Sequence, residues 1–276
     1  MPSQPDVFRQ RWRNRPSHAM ISVHRGLWGP APENSLAAID AARTYDIIEI
    51  DTQIAGDGVP VVIHDPDLVR TTGNPMRVVQ TDHSDLISQP LRAGSGGPEA
   101  PVTDQRIPLL EQGLSAAGPK AYFDIDVKHP GEVDAIAKFL HDKNLQSHGS
   151  LKIDTASKPD IDKLLSLQDN YDVMVMAKVV LPDAGLDHIR DLTNAGVAAA
   201  ELWFDDLEQL GAACQIAGTD MAISTYTLDP VHCCGLSDAL ALTDPDRVWG
   251  QLLASGVTII MTDQAAELDR YMASRL

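Results

Sequence analysis

Residues 47–64 read IIEIDTQIAGDGVPVVIH, and the organisation of the chain can be worked outward from this stretch. Ile47–Ile54 is a β-rich apolar run that carries Glu49 and Asp51, and Val59–His64 is a second such run. Gly56-Asp57-Gly58 leaves no room for a helix between them. A parallel pair needs a crossover of a dozen residues or more, so a turn this short joins antiparallel strands. Val59–His64 therefore reads as a hairpin arm rather than a barrel strand.

On both sides of this hairpin, short β-rich runs alternate with amphipathic helical stretches. Met20–His24 reads as a strand, followed by a helix from Asn34-Ser35 to about Thr44. Further strands are expected at Ala121–Val127, Ser150–Asp154, Asp172–Val179, Val197–Phe204, Met221–Thr227 and Val257–Met261. With the first two they make eight, which predicts an α/β fold, a TIM (β/α)8 barrel built as a single domain over 1–276. The stretch from Asp65 to Arg106 is rich in loop residues, so an insertion of about 56–106 follows the second strand. Its Gly94–Pro98 segment reads as part of a mobile cover, because long loops in compact barrels tend to be functional.

Composition narrows the function classes. The 22 basic against 39 acidic residues give a net charge of -17, which repels nucleic acid and anionic lipid surfaces. The three cysteines, Cys214, Cys233 and Cys234, lack the spacing of a metal knuckle and read as packing thiols. Met1–Pro16 has no apolar core of a signal peptide, and no run is long and apolar enough to span a membrane. A cytoplasmic location is expected, and the number of subunits is left open.

The charges inside the apolar strands point to chemistry. Glu49 and Asp51 are two apart on a strand, so both leave the same face. Adjacent carboxylates in an apolar run repel each other and lose hydration, and a hard divalent cation relieves both problems. Asp124, Asp126 and Lys128 repeat the pattern on a later strand. Asp126 can complete a ligand set, and Lys128 can neutralise a phosphate oxygen or balance the acids. His24 and His64 each end a strand, and phosphodiester cleavage needs one group to take a proton and another to give one. Arg25 adds a planar donor suited to phosphate.

The ordered runs His24-Arg25-Gly26, Pro32-Glu33-Asn34-Ser35, Glu49-Ile50-Asp51, Asp57–Asp65 and Arg70-Thr71-Thr72-Gly73 resemble the opening of glycerophosphodiester phosphodiesterases. Ile107–Glu111 and Thr262-Asp263 are similar to later segments of the same family, collinear to the end of the chain. The resemblance implies His24 and His64 as the acid–base pair, with His24 as base and His64 as acid. It implies Glu49, Asp51 and Asp126 as ligands of Mg²⁺ or Ca²⁺, with Mn²⁺ a further option. Arg25 and Lys128 then contact phosphate. It also implies a small-molecule phosphodiester substrate, attack by a neighbouring substrate hydroxyl through a cyclic phosphate, and a place in lipid metabolism.

Some positions depart from the family pattern. Asp126 is one methylene shorter than the usual glutamate, Tyr226 replaces a common tryptophan, and Gln264 stands where a proline often follows. Lys152, Lys178 and Glu201 put charges on three successive strands, with Trp203 two residues beyond Glu201. These four read either as an internal ion-pair network or as a polar pocket for a sugar ring or a quaternary ammonium. The pocket reading makes an agrocinopine-like sugar phosphodiester an alternative substrate. A metal-dependent lyase or aldolase would not need both histidines, and a non-catalytic binding barrel would not need the intact set.

Overall fold

The computed structural model describes residues 3–13 and 19–275; His18 and part of the Met1–Pro16 stretch lie outside them. The strands are β1 (Met20–Val23), β2 (Ile47–Ile54), β3 (Pro60–Val62), β4 (Pro90–Arg92), β5 (Val102–Arg106), β6 (Phe123–Val127), β7 (Gly149–Asp154), β8 (Met174–Val180), β9 (Ala199–Trp203), β10 (Ala222–Tyr226) and β11 (Ile259–Thr262). β1, β2 and β6 to β11 alternate with helices in the α/β pattern of a (β/α)8 barrel. The chain falls into two compact units, Val23–Phe139 and the remainder, Met1–Ser22 with Leu140–Leu276.

In the unit Val23–Phe139, β2 pairs parallel with β6, matching Glu49 to Asp124 and Asp51 to Asp126. Every residue of β2 up to Gln53 is buried, which explains its near-continuous apolar reading. β3 runs antiparallel to β2, as the short turn requires. It is shorter than expected. After Val62 the Gln53 amide takes the carbonyls of Ile63, His64 and Asp65 at 3.1, 3.0 and 2.7 Å, drawing the chain out of the ladder. The first helix is also shorter, Leu36–Ala41. Ser35 caps it by accepting from Ala38 N, and Asn34 before it is left-handed (φ 59°), a conformation that asparagine tolerates but a helix does not.

The insertion builds a small core of its own. Leu68, Val78, Leu86 and Leu91 pack with Val61 and Ile107, and β4 pairs antiparallel with β5. The Gly94–Pro98 segment, expected to be a mobile cover, is tied down instead. Gly94 O accepts from Glu33 N at 2.9 Å, Gly97 N donates to Arg70 O at 2.7 Å, and Arg92 Nη1 donates to Pro98 O at 3.0 Å.

In the other unit, β7, β8, β9, β10 and β11 pair in that order, all parallel. An unexpected helix, Gln4–Arg13, packs beside it with Phe8 and Trp12 buried. Arg9 donates to Asp220 O and Arg13 to Thr219 O, so the helix lies against the turn before β10. Burying Phe8 contributes about 1.5–3 kcal/mol, which exceeds what those exposed polar contacts add.

Asp238, which follows the capping residue Ser237, is 1% exposed and joins the ends of two strands. Its carboxylate accepts from Thr227 Oγ1 at 2.5 Å, Thr262 Oγ1 at 2.6 Å and Asp263 N at 2.8 Å. Burial outweighs these bonds and pushes the acid up to about 6. The native state therefore binds a proton more tightly than the unfolded chain, so this group's contribution to stability falls as pH rises from about 4 to about 6. The rise corresponds to about 3 kcal/mol. Denaturant unfolding of the native protein and Asp238→Asn at pH 4, 5, 6 and 7 should show the native protein's relative stability declining by that order across the window. Parallel curves would show that Asp238 does not titrate there.

Candidate active site

Charged residues of β2, β6 and the segments beside them in the unit Val23–Phe139 form one connected set. One oxygen from each of Glu49, Asp51 and Asp126 lies within 4.8 Å of the others, on the shared face of β2 and β6. Burial alone would push Asp51 up, but Lys128, Arg25 and His64 outweigh it and hold the carboxylate below its ordinary value. Lys128 Nζ sits 2.5 Å from Asp51 Oδ1 and 2.7 Å from Asp126 Oδ2. The two acids raise the lysine above its usual range against the cost of its burial. Asp51 Oδ1 is buried and faces the Lys128 ammonium, so positive charge is already accommodated at this oxygen. An all-oxygen set of this kind fits Mg²⁺, Ca²⁺ or Mn²⁺.

Local backbone geometry sets this arrangement. Arg25 is left-handed (φ 55°), and its N–H donates to Glu49 Oε2 at 2.9 Å. Gly26 (φ 76°) passes so close to the helix Leu36–Ala41 that a Cβ would lie 2.7 Å from the Ala38 carbonyl carbon. The glycine of His24-Arg25-Gly26 is thus required by both its conformation and its surroundings. Asn34 holds Asp51 at both ends, donating Nδ2 to Oδ2 at 2.7 Å and accepting the Asp51 N–H at 3.1 Å.

The two histidines flank the ligand set through the chain. His24 directly precedes Arg25, whose amide binds Glu49, and His64 directly follows Ile63, whose N–H donates to Asp51 O at 3.0 Å. His64 Nδ1 lies 2.6 Å from Asp65 Oδ1. Asp65 loses hydration by partial burial, but the bonds from His64 and Arg70 hold it far below the carboxylate range. Its charge keeps the proton on Nδ1 and leaves Nε2 for other chemistry.

Several members of this set escaped the residue-level reading. Glu33, 4% exposed, receives Arg25 Nη1 at 3.1 Å on both oxygens and Arg70 Nη1 and Nη2 at 2.9 and 2.7 Å. Glu33, Asn34, Asp65 and Arg70 all stood inside the recurring motifs, which was the one signal available. Gln53 continues the Glu49, Asp51 alternation, which would have found it. Arg25 and Lys128, expected to contact phosphate, here bind carboxylates.

Lys152, Lys178, Glu201 and Trp203 belong to the other unit. Lys152 Nζ and Glu201 Oε2 are 2.8 Å apart and both side chains are buried. Lys178 is in register with Glu201, and Trp203 is partly exposed. The internal ion pair accounts for Lys152 and Glu201 without a ligand.

Comparison with known proteins identifies the family and the fold. A Glycerophosphodiester phosphodiesterase of Bacillus subtilis is 31% identical over 196 residues, 63% of this chain and 66% of that protein. The chain thus matches just under two thirds of that relative's length. The crystal structure of a Glycerophosphoryl diester phosphodiesterase from Parabacteroides distasonis superposes with a TM-score of 0.75 at 21% identity, over 99% of this chain and 92% of that one. An Oleispira antarctica phosphodiesterase, solved in complex with the product sn-glycerol-3-phosphate, gives 0.67 at 21% identity, over 95% and 99%. Both likenesses show the fold, the TIM barrel. The profile of the Glycerophosphoryl diester phosphodiesterase family matches residues 24–267, from the first site histidine to the last helix, and the chain belongs to that family.

Proposed function

We propose that this protein is a metal-dependent phosphodiesterase that cleaves a small glycerol- or sugar-containing phosphodiester to a phosphomonoester and an alcohol. The observation that carries this reading is the convergence of Glu49, Asp51 and Asp126 oxygens beside two backbone segments that each present a histidine. The product held by the Oleispira antarctica phosphodiesterase supports a glycerol phosphate as one such monoester.

Glu49, Asp51 and Asp126 would hold the cation, which when bound neutralises the non-bridging phosphate oxygens. Arg25 and Lys128 hold phosphate oxygens as well, exchanging a carboxylate partner for the substrate. His24 takes the proton from a substrate hydroxyl next to the phosphoester. That oxygen forms a bond to phosphorus as the bond to the leaving alcohol breaks, and His64 protonates the departing oxygen. Water then opens the cyclic phosphate with the two histidines in exchanged roles. The Asp65 carboxylate at Nδ1 supports Nε2 as the His64 atom that transfers the proton.

Metal-stripped protein given Mg²⁺, Mn²⁺ or Ca²⁺ singly should cleave only diesters that carry a neighbouring hydroxyl. Phosphorus NMR on glycerophosphocholine, glycerophosphoethanolamine, a sugar phosphodiester and a diester with no such hydroxyl reads this and identifies the leaving alcohol. Turnover of the last substrate would overturn the cyclic route, and no turnover with any cation would overturn the enzyme reading.

The histidine roles separate with a leaving group that needs no proton. His64→Ala should lose roughly 10²–10⁴-fold on an alkyl diester and far less on a glycerophosphoryl nitrophenyl ester, whereas His24→Ala loses on both. The reverse pattern would exchange the assignments.

A further inference from the structure

Arg70 lies outside the ligand set and outside the acid–base pair, yet its side chain makes five hydrogen bonds beside them. Nε and Nη2 grip Asp65 at 2.7 and 2.9 Å, and Nη1 and Nη2 grip Glu33 at 2.9 and 2.7 Å. Nη1 also donates to Ser95 O. All five guanidinium hydrogens are therefore engaged, an arrangement that lysine, with three donors on a point charge, cannot reproduce. Asp65 and Glu33 together raise the arginine far above its usual range against the cost of burial.

Each carboxylate held by Arg70 reaches a residue of the proposed chemistry. Asp65 binds His64 Nδ1, and Glu33 binds Arg25 Nη1. The main chain of His64 is already fixed by Gln53, so the imidazole's remaining freedom is rotation, which the Asp65 carboxylate restrains. The glycine-rich loop of the insertion locks Arg70 in turn. Gly97 N donates to its carbonyl, and a Cβ on Gly96 would sit 2.4 Å from that oxygen.

We infer that Arg70 is a positioning residue, which through Asp65 aims His64 and through Glu33 aims Arg25, with the Ser95–Gly97 loop as its brace. The inference rests on the proposed function for its kinetic consequence, but its structural half does not. Displacing a reacting group by about 1 Å can cost on the order of 10²-fold in rate. Arg70→Ala and Arg70→Lys should each lower kcat by that order while leaving calorimetric Mg²⁺ or Ca²⁺ binding within a few-fold. Guanidinium ion added to Arg70→Ala should restore part of the loss, which a merely structural role would not allow. Gly96→Ala, which touches no reacting group, should lower kcat in the same direction and keeps the test open if Arg70→Ala fails to fold.

Independently of turnover, ¹⁵N-histidine NMR should show a His64 Nδ1–H signal, assigned by its absence in His64→Gln, that moves or broadens in Arg70→Lys. If the native protein cleaves no diester and that signal still moves, the positioning stands and the functional reading fails. A kcat for Arg70→Lys within about threefold of native, or an unmoved His64 signal, would overturn the inference.

Discussion

Crowding of buried carboxylates is the constraint around which this unit is organised. Glu33, Glu49 and Asp51 are 4, 2 and 1% exposed, and Asp65 and Asp126 join them at the edge of the set. Carboxylates cannot remain ionised so far from water without compensation. Arg25, Lys128 and Arg70 provide it, each lying between two acids. With the buried Asp124, in register beside Glu49, the carboxylates outnumber these three cations, a surplus that favours binding a cation. The left-handed Arg25 brings its backbone N–H to Glu49, and the left-handed Asn34 brings its side-chain amide to Asp51, as further donors. Conformations that would otherwise cost 1–3 kcal/mol each persist because the surrounding charge over-determines them.

How much of this was legible in the sequence depended on the range of the interaction. Glu49, Asp51 and Asp126 could be found because strand periodicity is local and puts alternate residues on one face. The antiparallel hairpin was legible because Gly56-Asp57-Gly58 permits no crossover. The partners of Glu33 were not, since Arg70 lies 37 residues away and no local pattern pairs them. The β4–β5 hairpin, with its exposed alternate residues and small satellite core, has too weak a periodicity to stand out from loop. Helix Gln4–Arg13 is strongly polar, and its two buried aromatics find their place only against the folded sheet. Asp238 ties the ends of two strands through contacts 24 and 25 residues away, which no local pattern marks.

The same distinction separates the two halves of the proposed chemistry. The ligand acids sit on paired strands, where the pleat and the parallel register leave almost no freedom of direction. His64 follows a strand that has already ended, and its side chain remains 35% exposed. A residue in that setting has no ladder to aim it, so polar bonds must do so: Gln53 on its main chain, Asp65 on its ring, and Arg70 behind Asp65. The ligand acids are braced too, Asp51 by Asn34 and Glu49 by the Arg25 amide, but on strands that already set their direction. The buried Lys152–Glu201 pair is a contrast, since its two charges meet directly across the intervening strand β8. A closed pair costs desolvation and adds rigidity, whereas a set with surplus negative charge, held open by arginines shared between acids, is suited to receiving a cation and an anion together.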